Sequence, residues 1–288
     1  MRPAREDMSD RTGSIGHVAA VSLLWALACD PGPAAPPAAP PVAAPASAAS
    51  PAPPAASPAP APAPSPAPAP GTSPAPPIPT VAPPPPPTIV ERPITYDEAR
   101  RQRTIAYRRR HQDPGATDIT IDPKIIILHH TGGGDLDATW RYFDRATVEK
   151  ARKIIARAGD LNVSAHFLVD RDGTIVRLMP ETWMARHCVG LNHVAIGVEN
   201  VGDNADRPLT DAQLAADVAL VRDLKARFPG ITHLIGHHEY LALEGHPYFR
   251  EREADYRTRK GDPGPAFMRR VRAQLTDLNL AGPDLGPP

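Results

Sequence analysis

Cysteine is nearly absent from this chain. Cys29 and Cys188 are the only two in 288 residues, and they cannot both belong to the folded part, so a structural disulfide is not expected. An excess of charge of one sign is lacking too. The 32 basic and 32 acidic side chains give a formal net charge of +0, which speaks against a nucleic-acid partner. The N-terminal apolar stretch, residues 15–28, is short of the roughly 20 residues that span a bilayer. Lysine is sparse beside arginine, which makes Lys260 stand out.

Proline is in excess, with 39 residues, most of them between positions 31 and 87. That segment is almost all Pro and Ala, has no apolar periodicity and cannot offset the entropy of ordering. It reads as a disordered linker, residues 30–88, with polyproline II character. Extended at about 3.1 Å per residue, it would reach about 180 Å. One domain is expected over residues 89–280, with a short flexible tail at 281–288. Upstream, Arg2, Arg5 and Arg11 precede the apolar stretch, which closes on Ala26-Leu27-Ala28-Cys29. This arrangement is an export signal over residues 1–29. Its end resembles the lipobox of bacterial lipoproteins, although Ala26 stands where leucine is usual. The expectation is an exported lipoprotein, anchored to the membrane through a lipid on Cys29 and facing the periplasm. The alternative is secretion after signal cleavage.

Within the domain, Thr95-Tyr96-Asp97-Glu98 has the spacing of a capping box opening a helix to about His111, with Ile105 and Tyr107 as core contacts. Arg108-Arg109-Arg110 reads as a solvated face. Residues 124–130 form a strand, and residues 136–158 a mainly helical stretch with Trp140, Phe143, Val148, Ile154 and Ile155 toward the core. Arg171-Asp172-Gly173 turns a hairpin between residues 164–170 and 174–180. Strands at 195–201 and 231–237 flank a helix capped by Thr210, and a last helix runs from Pro263 to about Leu278. Strands and helices mix without strict alternation, so the fold class is α/β, a mixed central sheet flanked by helices.

The chemistry lies at strand ends. Ile125-Ile126-Ile127-Leu128-His129-His130-Thr131 is an apolar strand ending in a histidine pair before Gly132-Gly133-Gly134. Ile231-Thr232-His233-Leu234-Ile235-Gly236-His237-His238 repeats the pattern, and Lys260-Gly261-Asp262-Pro263-Gly264-Pro265 sets a carboxylate in a rigid turn. Two histidines and an aspartate leave a zinc ion one open position for water, a hydrolase's pattern. Side chains alternate along a strand, so one member of each pair can face the cleft while the other packs or is solvated. Glu199 shares a strand face with Gly197, opposite Ile196 and Val198. An acid in so apolar a strand is partnered or functional.

Six motifs in order carry a resemblance: Leu128-His129-His130-Thr131, Ser164-Ala165-His166-Phe167, Asp172-Gly173-Thr174-Ile175, Ile196-Gly197-Val198-Glu199, Gly236-His237-His238-Glu239 and Lys260-Gly261-Asp262-Pro263-Gly264-Pro265. Together they resemble the type 2 N-acetylmuramoyl-L-alanine amidases, a family similar to the animal peptidoglycan-recognition proteins, over residues 124–275. The resemblance implies an amidase-like single domain with Zn2+ held by His129, His237 and Asp262. It implies Glu199 as general base and Lys260 as oxyanion stabiliser. His187, His166 and Asn192 fall to substrate binding, with Cys188 where alanine usually follows the cleft histidine. The implied partner is peptidoglycan or a muropeptide, acted on by a monomer. A peptidoglycan-binding module without catalysis is the rival reading. The stretch 243–259 is an insertion relative to the family. His246 within it is a substitute ligand to be weighed, and Tyr240, Tyr248, Phe249 and Tyr256 are placed to contact glycan or peptide.

Overall fold

The structure, a computed structural model, describes residues 85–203 and 207–283. The expected signal segment with Cys29, nearly all of the linker and the end of the tail lie outside these residues. In chain order the elements are β1 (Ile89–Glu91), α1 (Glu98–His111), β2 (Ile125–His130), α2 (Leu136–Asp144), α3 (Lys153–Arg157), β3 (Phe167–Val169), β4 (Ile175–Arg177), β5 (Ala195–Asn200), α4 (Asp211–Arg227), β6 (His233–Gly236), a 3-10 turn (His237–Leu243) and α5 (Pro265–Ala273). The strands form one six-stranded sheet in the order β1-β4-β3-β5-β2-β6. It is mixed, with β3 and β4 antiparallel and every other pairing parallel. Among the described residues, no helix is long and apolar enough to cross a membrane.

The near-continuous apolar run of β2 follows from its central place between β5 and β6, where both faces are covered. Ile126, Leu128, Ile196, Val198 and Leu234 pack on one face with Leu220 and Val221 of α4 and Val271 of α5. Ile125, Ile127, Ala195 and Ile235 pack on the other with Tyr107 of α1 and Tyr240. The two-residue period places His129 on this second face with Ile125 and Ile127. The parallel register sets His129 directly beside Glu199.

Several local expectations shift. Asp97, not Thr95, caps α1, accepting the Arg100 N–H at 2.8 Å. The Thr95 N–H is drawn instead to Asp144 Oδ1 at 2.6 Å. The stretch 136–158 is two helices. The segment between them pairs with residues 160–162 through Val148 N–H to Asp160 O and Asn162 N–H to Ala146 O. That pairing keeps these residues out of a helix; within α3, Ile154 is exposed while Ile155 is buried. Thr210 does cap α4 as expected, and with Gln213 it forms a full capping box. The closing helix is shorter than read, ending at Ala273 with a separate 3-10 turn at Thr276–Leu278.

Candidate metal centre

Three elements converge at the C-terminal edge of the parallel strands, the edge where open α/β sheets place ligands. The last turn of β2 supplies His129, the residue after β6 supplies His237, and the turn before α5 supplies Asp262. His129 Nδ1 and His237 Nδ1 are 2.9 Å apart. Asp262 Oδ2 lies 3.2 Å from the first and 3.0 Å from the second. All three residues are buried, and they are the group of metal-type donors that the described residues bring together. The second histidine of each pair lies outside this group. His130 Nε2 faces Asp203 Oδ2 at 3.3 Å, and His238 Nδ1 is 3.0 Å from the Asp262 carbonyl.

Protonation states suit a cation. Burial holds both His129 and His237 below the usual imidazole range, His237 at about 3. Burial pushes Asp262 up, but the flanking His237 and His129 outweigh it and hold its carboxyl well below the usual carboxylate range. Neutral imidazoles and an ionised carboxylate are the forms that ligate a divalent ion. Three such donor atoms within 3.2 Å of one another fit a zinc ion with His/Asp ligation and an open fourth side.

That open side faces a cleft of about 360 Å³. Glu199 and Lys260 line it with His237, Asp262 and His130. Glu199 Oε2 is buried without a hydrogen-bond partner, and burial, then the nearby Asp262, raise its pKa well above the usual value while Lys260 and Arg152 oppose the shift. Tyr107, Arg152 and Asp203 also line the cleft. Nothing local in the sequence marks Arg152, which sits in a stretch whose spacing suggests a helix interior.

The three residues expected to bind substrate separate. His187 is on the cleft wall, its Nδ1 3.0 Å from His129 Nε2. Asn192 reaches the cleft but is fully buried, and its Oδ1 accepts the N–H groups of His187 and Cys188 at 2.8 and 2.7 Å. It ties down a loop. His166 is not in the cleft: its Nδ1 accepts the Gly197 N–H at 3.0 Å and its Nε2 donates to the Trp183 carbonyl at 2.8 Å. It is scaffold, because both ring nitrogens are committed to buried backbone. His246 is no ligand either, since it packs against His233 and Tyr248 at the opposite end of β6 from His237. The insertion's aromatics are mostly core. Tyr240 is fully buried and donates to the Thr258 carbonyl, Phe249 stacks on it, and of the four only Tyr256 touches the cleft.

The sequence profile of the N-acetylmuramoyl-L-alanine amidases matches residues 120–265. The 1,6-anhydro-N-acetylmuramyl-L-alanine amidase AmpD of Enterobacter cloacae is 30% identical over 167 residues, spanning 54% of this chain and 81% of the relative. The endolysin of Escherichia phage T7 is 34% identical over 97 residues, covering 32% of this chain and 64% of the endolysin. Among solved structures, the N-acetylmuramoyl-L-alanine amidase LysC from Clostridium intestinale URNW aligns with a TM-score of 0.40 at 24% identity, over 66% of this chain and 98% of that one.

Proposed function

Since the chain belongs to the N-acetylmuramoyl-L-alanine amidase family, we propose that it is a zinc-dependent amidase. Its reaction is hydrolysis of the bond between the lactyl group of N-acetylmuramic acid and L-alanine in peptidoglycan or muropeptides. The observation that carries the reading is the clustering of His129 Nδ1, His237 Nδ1 and Asp262 Oδ2 beside a cleft that holds Glu199 and Lys260. His129, His237 and Asp262 would hold a zinc ion, which would supply Lewis acidity and a water more acidic than bulk, with a pKa toward about 7. Glu199 takes the proton of the attacking water and later hands it to the leaving amine. Lys260 sets an ammonium beside the oxygen on which charge develops. The apolar surroundings of Glu199 keep it basic enough to hold that proton between the two steps.

The test incubates the purified domain, from about residue 89 onward, with peptidoglycan and with an anhydro-muropeptide, with and without a chelator. Products are read by mass spectrometry. Free stem peptides beginning at L-alanine, lost with chelator and restored by zinc, support the amidase. Intact muropeptides despite bound zinc and measurable wall binding would point to a recognition module instead. The comparison of the two substrates separates wall turnover from the anhydro substrate named for the AmpD relative.

The setting we propose is extracytoplasmic, with the domain tethered through Cys29 and the Pro/Ala segment. The support is the Ala26-Leu27-Ala28-Cys29 run and the composition that follows it. Fatty-acid labelling of the full chain that persists in Cys29→Ser would remove the anchor from this picture.

A further inference from the structure

His187 enters the sequence as a cleft histidine, yet its ring is committed on both nitrogens. Its Nε2 lies 3.3 Å from the Ala195 carbonyl oxygen and its Nδ1 3.0 Å from His129 Nε2. A carbonyl oxygen only accepts, so Nε2 of His187 carries the proton. A neutral imidazole has one N–H, which leaves His187 Nδ1 as an acceptor. The proton between the two rings therefore belongs to His129 Nε2. His129 Nδ1 is then a bare lone pair, and it is the atom that faces His237 Nδ1 and Asp262 Oδ2.

The surroundings hold the ring in this place. Asn192 Oδ1 accepts the backbone N–H of His187 and of Cys188. On the other side, the ring lies against Gly197: a Cβ there would be 2.7 Å from His187 Cγ and Nδ1. Only a residue without a side chain lets the ring come this close to β5. We propose that His187 is a positioning residue that fixes the tautomer and orientation of His129, directing His129 Nδ1 at the zinc ion. Partners of this kind, behind a metal-bound histidine, are typically worth about 10–100-fold in metal affinity. The inference rests on the zinc reading above, but concerns binding and not turnover.

Two isosteric substitutions test it in the purified domain, His187→Asn and His187→Leu. Both shorten the ring equally and both lose the arm to Ala195, but only asparagine retains an acceptor near the Nδ1 position. Zinc affinity is measured by competition with a chromogenic chelator, beside thermal unfolding of the zinc-free proteins. The leucine variant is expected to bind zinc at least about tenfold more weakly than the asparagine variant. Equal affinities in the two overturn the proposal. A second measurement needs no variant: long-range nitrogen–proton NMR of the zinc-loaded wild type should show His187 and His129 each protonated on Nε2. A proton on His187 Nδ1 overturns it. If the wild type binds no zinc, the amidase reading falls with this one. If it binds zinc and the two variants match, only the role of His187 falls.

Discussion

Gly197→Ala is the most informative single perturbation, because one methyl group tests whether β5 was built around the His187 ring. The new Cβ would stand 2.7 Å from two ring atoms and 2.9 Å from a third. Carbon contacts become attractive only near 3.5–4.0 Å, so the ring must retreat by roughly 0.8 Å or the strand must bend. The strand has little freedom, since its N–H at this position is bonded to His166 and its neighbours are paired on both sides. The ring therefore moves, and a shift of that size breaks a hydrogen bond now 3.0 Å long. Overpacking of this kind costs about 1–3 kcal/mol, read as a lower urea midpoint of the zinc-free domain. Zinc affinity should fall with it, by about tenfold. His187→Ala in the same chain removes the atoms that clash, so the double variant should lose less stability than the two single losses together. A Gly197→Ala variant with the wild-type midpoint and wild-type zinc affinity would refute the packing argument and the positioning role at once.

Glu199→Gln should bind zinc as the wild type does and lose about 10²–10⁴-fold in turnover; wild-type turnover in single-substrate assays would take the base away from Glu199. Asp217, fully buried under β5, is pushed by burial from 3.8 up to about 7 despite the opposing hydrogen bond from Asn200. The folded protein thus keeps a proton that the unfolded chain releases above about pH 4. Its contribution to stability is largest in acid, falls as pH rises toward 7 and is flat above, a change of about 4 kcal/mol. Asp217→Asn should flatten that trend and be the more stable protein at pH 8; parallel denaturation curves of variant and wild type between pH 5 and 8 would contradict it. Arg186 is buried with its guanidinium on the Gly159, Leu161 and Ile155 carbonyls and the Tyr256 hydroxyl. Lysine cannot reproduce that fork, so Arg186→Lys should lose about 2–4 kcal/mol in urea unfolding. A loss within error of zero would mean that the loops around residue 160 hold without it.

The cluster of His129, His237 and Asp262 was legible because it sits where sequence patterning is strongest. β2 is an apolar run whose two-residue alternation parts His129 from His130, whereas His237 and His238 lie beyond β6 in a 3-10 turn, where strand alternation no longer applies. The hairpin at Gly173 and the Thr210 cap are local chemistry and fell where the residues place them. What misled were stretches whose partners are remote. Residues 145–148 have a helical spacing but are claimed by residues 160–162. Tyr240 and Phe249 look like surface aromatics of an insertion, yet they complete the core under Ile235. Gly197 has the same history at the site. On sequence it leaves room beside Glu199; in the fold that room belongs to His187, which arrives from another loop.

Charge is the part that residue type alone does not encode. Glu199 and Asp262 are both acids beside one cleft, and each lies next to a histidine or a lysine in the sequence-derived site. The fold separates them. Two imidazoles at 3.0 and 3.2 Å hold Asp262 ionised against its burial. At Glu199 the opposing Lys260 and Arg152 are outweighed, one oxygen lacks a hydrogen-bond partner, and burial with the nearby Asp262 raises it instead. Pairs of carboxyl groups driven apart in this way take different chemical roles. A carboxylate pinned by two nitrogens is suited to hold a cation. A carboxylate left in an apolar wall is suited to accept a proton and keep it until the leaving amine needs it. The proposed assignment of ligand to Asp262 and base to Glu199 thus rests on what packs around each side chain, and exchanging their environments would exchange the proposed roles.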